Sequence, residues 1–175
     1  RSFGRTTNRA AAAGATTFAA DLEALLDHLD IKSAHLVGQS MGGWTTLGFA
    51  SSFPERVTAL VMCDSTGGYT NSEVDRLMAA RSEDRGAFAK SFSEQEPESA
   101  FLYEEIRRST IERTSDGRPV AIEGLFSTPV DVSRVIENEI PTLFVVGEED
   151  SIFPPVLIEA VHRDIPGSEL AIIPD

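Results

Sequence analysis

One serine in this sequence, Ser40, stands in a setting that can do chemistry. It lies in His35-Leu36-Val37-Gly38-Gln39-Ser40-Met41-Gly42-Gly43-Trp44, where an apolar run halts at Gly38 and two glycines follow the serine closely. Gly38 to Gly42 fits G-x-S-x-G, the spacing of a sharp strand-to-helix turn that lifts a hydroxyl above the end of a sheet. Bulky side chains beside such a turn would collide with it. Glycine at Gly38 and Gly42 is therefore expected to clear that space, and Gly43 to let helix and strand approach closely.

The turn needs a strand before it and a helix after it, and the flanking sequence predicts both. Phe18, Leu22, Leu25, Leu26 and Leu29 recur at intervals of three and four, predicting an amphipathic helix with one buried stripe. Thr16 or Thr17 is expected to cap it, with Asp21 and Glu23 near its positive end, and it should stop near Asp30. Ser33–Val37 reads as a short strand leading into the serine, and Met41–Phe53 as the helix after it, stopped by Pro54. Val57–Cys63 is a continuous β-prone run, suited to a strand covered on both faces.

Residues 71–133 differ from what precedes them: rich in Glu, Arg and Ser, with broken helical periodicity and no strand pattern. They are expected to form a helical cap, with Met78, Phe88, Phe92, Phe101 and Phe126 as candidate pocket walls. Alternation resumes with a strand over Thr142–Val146, a helix opened by Pro154 and Pro155, and a last strand over Glu169–Ile173. Repeated alternation of helix and strand predicts an α/β fold, a mostly parallel sheet with helices on its faces. The core is assigned to 1–70 and 134–175.

Bulk composition narrows the partners. Fifteen Lys and Arg against 28 Asp and Glu give a net charge of −13 over 175 residues. That balance disfavours nucleic acid and anionic membrane surfaces, which need clustered cations. No apolar run approaches the roughly 20 residues of a membrane span, and no export signal is visible, so a cytoplasmic location is expected. The single cysteine, Cys63, is expected to pack as a small core residue rather than to act as a nucleophile. No metal or cofactor motif is present: there is no H-E-x-x-H, no cysteine–histidine cluster and no phosphate-binding glycine loop.

The order of these parts resembles the α/β-hydrolase fold. The resemblance is carried by Gly38–Gly43 in its strand–turn–helix setting and by Gly147-Glu148-Glu149-Asp150 followed by Pro154 and a helix. It implies that Ser40 is the nucleophile, activated by a neighbouring imidazole, and that Asp150 is the carboxylate orienting that imidazole. It also implies that the backbone amide of Met41 supplies half of an oxyanion hole. Asp64, at the end of the preceding strand, is a rival for the acid. The expected activity is hydrolysis of small carboxylic esters, lactones or related acyl substrates through an acyl-enzyme. Carbon–carbon bond hydrolysis, cofactorless oxygenation and ligand binding without turnover are the alternatives.

The same resemblance places the catalytic histidine after the final strand, where this chain has none. His28 ends the first helix, His35 lies in the strand before the serine, and His162 is on the helix between Asp150 and the last strand. The imidazole and the second oxyanion donor are therefore expected outside these 175 residues. The chain reads as an internal stretch of a longer enzyme, expected to fold poorly and to be inactive alone.

Overall fold

The computed structural model describes residues 13–80, 101, 104, 123–125 and 129–174. Most of the stretch expected to form the cap, including Phe88, Phe92 and Phe126, lies outside the described residues.

Four strands form one parallel sheet in the order β1-β2-β3-β4, with β1 Ala34–Gln39, β2 Val57–Cys63, β3 Thr142–Gly147 and β4 Glu169–Ile173. Between them lie α1 (Ala15–His28), α2 (Met41–Ser52), α3 (Ser72–Ala80), α4 (Ser133–Glu137) and α5 (Pro155–Arg163). As Pro54 predicts, α2 stops at Ser52, and a single 3₁₀ turn, Pro54–Arg56, leads into β2. The α/β fold with a parallel sheet and flanking helices is thus realised in the described core.

Alternation along the strands divides the sheet into two unequal faces. Leu36, Leu60, Met62, Phe144 and Val146 point into the helix layer and are buried, where Leu47 and Phe49 of α2 and Leu157, Ile158 and Val161 of α5 meet them. On the other face Val61, Cys63, Leu143 and Val145 are only half-buried, and Val37 of β1 is 67% exposed. The expectation that β2 is covered on both faces is therefore not met among the described residues.

Helix α1 departs from the sequence pattern in two ways. Gly14 rather than a threonine occupies the cap position, and the Thr17 hydroxyl instead donates back to the Ala13 carbonyl at 3.1 Å. Phe18 and Leu26 are buried as expected, but Leu25 is 51% and Leu29 55% exposed. The reason is that α1 meets α2 through small side chains. Ala15 and Ala19 are buried in the contact, and a Cβ at Gly48 would lie 3.1 Å from Ala15. Two helices this close turn a narrow stripe inward and leave its leucine flank outside.

Arg56 closes the loop before β1 by donating to the carbonyls of Ile31 and Lys32, at 2.9 and 2.7 Å, while pairing with Asp27 at 2.9 Å. This pins the end of α1 to the start of β2.

Phe144→Ala should lower the stability of the intact protein by about 3–5 kcal/mol, because it empties a fully buried site. Leu25→Ala should stay within about 0.5 kcal/mol despite its helical spacing. Urea unfolding midpoints distinguish the two.

Candidate active site

The parallel register brings the carboxyl ends of β1, β2 and β3 to one edge of the sheet. Gln39 aligns with Cys63, and Cys63 with Val145. Beyond that edge each chain still bonds to its neighbour: the Ser40 amide donates to the Cys63 carbonyl, and the Asp64 amide to the Val145 carbonyl, both at 2.9 Å. Ser40 and Asp64 are therefore held at the ends of adjacent strands, and Asp150 follows three residues after β3. With strands about 4.8 Å apart, Ser40 and the end of β3 are separated by about 10 Å across β2.

Ser40 itself sits in a conformation rare for a side-chain-bearing residue, φ 48 and ψ −120. Such backbone costs on the order of 1–3 kcal/mol and persists only when its surroundings enforce it. The enforcing contacts are visible. The Ser40 carbonyl accepts from the Gly43 amide at 3.0 Å and from the Ser65 hydroxyl at 2.7 Å. Ser65 is fully buried and also accepts from the Gly67 amide at 3.0 Å. The serine side chain is left partly exposed at the start of α2. The Met41 amide, at the first helical position, has no carbonyl four residues back within the helix to bond.

The glycines do not all serve the purpose expected of them. A Cβ at Gly38 would lie 2.8 Å from the Gly42 carbonyl oxygen, and one at Gly43 would lie 2.2 Å from the Ser65 oxygen. Among the described residues a Cβ at Gly42 meets nothing within 4 Å. Among the described residues the steric role expected of Gly42 thus falls to Gly38 and Gly43, because position 42 meets no neighbour there while position 43 faces the residue bracing the serine. Thr46 completes the turn: its hydroxyl reaches the Gly42 and Gly43 carbonyls at 3.3 and 3.2 Å and contacts the Met62 sulfur.

Asp150 is fixed in the turn after β3. Its amide donates to the Gly147 carbonyl at 3.1 Å, and one carboxylate oxygen accepts from the amides of Ile152 and Phe153 at 2.7 and 2.8 Å. Two amides on one oxygen leave the other to face a partner. Phe153 in turn packs edge-on against Trp44 at 6.3 Å, tying the acid's turn to the helix that begins at Ser40.

Asp64 comes to the same edge. Like Ser40 it has a left-handed backbone, φ 47. Its carboxyl lies in the neighbourhood of the Gly147 amide, the Gln39 side chain and Asp150. Burial, followed by the charge of Asp150, pushes the Asp64 carboxyl above its ordinary value. Cys63, next to it, is pushed up by burial and by Asp64, which keeps the thiol protonated and unreactive.

The three histidines lie away from this edge. His28 is exposed at the end of α1, and His35 shares a 3.0 Å hydrogen bond with Thr58 on the exposed face of β1. His162 is bound to the Ser168 hydroxyl at 2.7 Å and packs against Phe144 within the helix layer. A cavity of about 330 Å³ lies beside Trp44, Tyr69, Val74, Met78 and Leu125, and neither Ser40 nor Asp150 lines it. Of the expected pocket walls Met78 is at this cavity, whereas Phe101 is 65% exposed. The segment entering α3 is latched to the end of α5, where Tyr69 and Asn71 donate to Asp164 and Arg163 pairs with Glu73.

Ser65 is the supporting residue that sequence reading passed over. Its signal was a small hydroxyl directly after a strand end, in Asp64-Ser65-Thr66-Gly67-Gly68.

With this geometry in hand, the model of the α/β-hydrolase fold family matches residues 1–96. The chain belongs to the α/β-hydrolase family. A thermophilic esterase from Thermogutta terrifontis superposes with a TM-score of 0.77 at 29% identity, over all of this chain and 69% of that one. A Bacillus subtilis (strain 168) protein provisionally named 2-succinyl-6-hydroxy-2,4-cyclohexadiene-1-carboxylate synthase is 30% identical over 171 residues, 88% of this chain and 62% of its own length. A 2-hydroxy-6-oxononadienedioate/2-hydroxy-6-oxononatrienedioate hydrolase of Paraburkholderia phymatum is 56% identical over a shorter stretch of 48 residues, 27% of this chain and 17% of that protein. The chain therefore spans about three-fifths of the length of the Bacillus relative. Among the described residues no helix is long and apolar enough to cross a membrane.

Gly43→Ala should destabilise the intact hydrolase by about 1–3 kcal/mol through overpacking against Ser65, while Gly42→Ala should leave its melting temperature nearly unchanged. Asp64→Asn tests the carboxyl's raised proton affinity. Above the ordinary carboxylate range the unfolded chain holds fewer protons at this site than the folded one, so wild-type stability falls as pH rises towards neutrality. The variant should therefore gain stability at neutral pH, and the gain should vanish as the pH falls below that range.

Proposed function

We propose that this hydrolase-fold chain carries the nucleophile and the acid of a serine hydrolase acting on small carboxylic esters, lactones or related acyl substrates. The observation that carries the reading is the backbone of Ser40, φ 48 and ψ −120 at the first turn of α2, held by Ser65 and by the end of β2. Strained backbone of this kind is worth its cost where a side chain must be presented to a reacting atom.

In the proposed reaction an imidazole between Ser40 and Asp150 takes the serine proton as Oγ attacks the acyl carbon. Asp150, anchored by the Ile152 and Phe153 amides, orients the imidazole and stabilises its cationic form. The Met41 amide donates to the oxyanion of the tetrahedral intermediate. Collapse, with the imidazolium returning its proton to the leaving oxygen, releases the alcohol or enol and leaves an acyl-Ser40, which water then hydrolyses with the neutral imidazole as base. None of His28, His35 and His162 is placed for that role, so the reading draws the imidazole and the second oxyanion donor from outside these 175 residues. The isolated chain should accordingly turn over no ester at enzymatic rates.

The 56% identity to the dienedioate hydrolase over 48 residues favours one second reading. In it the same Ser40 and imidazole cleave a carbon–carbon bond next to a carbonyl. The partner in either case is a small molecule; no nucleic acid, membrane surface or cofactor enters the scheme.

The test is labelling of the intact enzyme with a fluorophosphonate, followed by peptide mass spectrometry and steady-state kinetics on a p-nitrophenyl ester. One label on Ser40, loss of labelling and turnover in Ser40→Ala, and a fall in kcat of about 10⁴ in Asp150→Asn are expected. Labelling at another residue, or undiminished turnover in Ser40→Ala, would overturn the assignment.

A further inference from the structure

Away from the site edge, the described residues form a second place that can hold a small molecule. The cavity of about 330 Å³ beside Trp44 lies between α2, α3 and the link from β2 to α3, and neither Ser40 nor Asp150 lines it. Its volume is at the small end of the range for ligand sites, enough for one ring with a short chain. The walls are fixed by bonds that the reaction scheme does not use. Tyr69 donates to Asp164 at 2.8 Å, the Val74 amide to the Asn71 side-chain oxygen at 2.8 Å, and the Val130 amide to the Gly68 carbonyl at 2.9 Å. Gly68 has φ 84, and a Cβ there would lie 2.6 Å from the Trp44 ring nitrogen, so this glycine lets the indole lie against the link.

The lining has a definite chemistry. Trp44, Val74, Met78 and Leu125 give it an apolar wall. Thr66 is its buried polar member, with 2% of its surface exposed. The Thr66 oxygen accepts only a long bond from the Gly68 amide, 3.4 Å, and among the described residues its own hydroxyl hydrogen has no acceptor. Buried hydroxyls are normally paired, so a donor at this position calls for an acceptor beside it. Asp75 stands exposed at the rim and already accepts from the Thr70 hydroxyl. No lysine, arginine or histidine is among the described residues lining the cavity.

We propose that this cavity binds a small uncharged molecule with an apolar body and a carbonyl oxygen: a ketone, ester or lactone. The carbonyl accepts from the Thr66 hydroxyl, and the body packs on Trp44, Val74, Met78 and Leu125. Charged relatives of such a molecule are disfavoured for separate reasons. An ammonium group has no acceptor to offer Thr66. A carboxylate would approach Asp75 with no lining cation to offset its charge, in a chain of net charge −13. The site is distinct from the edge that holds Ser40 and does not rest on the role given to that serine.

The test uses the intact protein with ¹⁵N-labelled tryptophan. Trp44 is the single tryptophan of these 175 residues, and its indole N–H resonance is assigned by its loss in Trp44→Phe. Acetophenone, a ketone that is not hydrolysed, should shift that resonance saturably. Thr66→Val keeps the side-chain shape and removes the donor. It should weaken acetophenone by about fivefold while leaving ethylbenzene, the same ring without the oxygen, unchanged. Benzoate and benzylammonium should bind more weakly than acetophenone by about tenfold or more. Met78→Trp, which fills the cavity from its rim, should weaken both uncharged probes and serves if Thr66→Val fails to fold. A phosphonate on Ser40 should leave acetophenone binding as it was.

An indole resonance that acetophenone does not move would overturn the site. Equal effects of Thr66→Val on acetophenone and ethylbenzene would overturn the hydrogen bond that selects the carbonyl, and benzoate binding as tightly as acetophenone would overturn the uncharged class. Loss of acetophenone binding on phosphonylation would place the guest at the serine edge instead. Failure of Ser40 to take the phosphonate would count against the serine-hydrolase reading alone, since the Thr66→Val and Met78→Trp series still decides whether the cavity binds.

Discussion

The amide of Ser40 bonds to the carbonyl of Cys63, and every feature of the candidate site depends on that one attachment past the end of β1. A chain leaving a strand is normally free to turn in many directions. Here the last backbone bond to β2 is made by the serine itself, so the turn into α2 must happen within that residue. The same construction repeats one strand over, where Asp64 bonds to the carbonyl of Val145. Two side chains with chemical potential are thereby set on one edge at a spacing that the parallel ladder dictates.

A left-handed serine is affordable only because the neighbourhood leaves it no cheaper choice. Gly38 and Gly43 let α2 press against the strand ends, and Ser65 reaches from the β2 end to brace the serine carbonyl. Thr46 caps the carbonyls of the first helical turn from within the helix. On the far side, Phe153 against Trp44 couples the acid's turn to the same helix. Displacing any one of these would move the Ser40 hydroxyl relative to Asp64 and Asp150, so packing some distance away sets the geometry of the candidate site.

Much of this was legible in the sequence because it rests on local rules. The four strands, the helix after Ser40 and its stop before Pro54 follow from periodicity and from the chemistry of glycine and proline. What escaped was set by contacts between distant segments. Leu25 and Leu29 have helical spacing yet face outward, since Ala15, Ala19 and Gly48 draw α1 and α2 too close for a wide stripe. Gly42 looks as necessary as Gly38 in the motif, but only the folded chain shows which of the glycines faces a neighbour. Asp64 reads as a competitor of Asp150. The register of β2 against β3 sets it at the same edge of the sheet, where the charge of Asp150 acts on it, and no spacing within one strand reveals that. Most of the expected cap, with Phe88, Phe92 and Phe126, lies outside the described residues, so the cap as a unit belongs to the sequence reading alone.

The central claim is spatial: a hydroxyl at the end of β1 and a carboxylate beyond β3 flank one imidazole. A crystal structure of the intact hydrolase with a phosphonate on Ser40 measures this directly. The account predicts an imidazole bridging Ser40 Oγ and the Asp150 oxygen not bound by Ile152 and Phe153, with the phosphonyl oxygen on the Met41 amide. An imidazole paired with Asp64 alone, or a Ser40 side chain turned away from both acids, would contradict it.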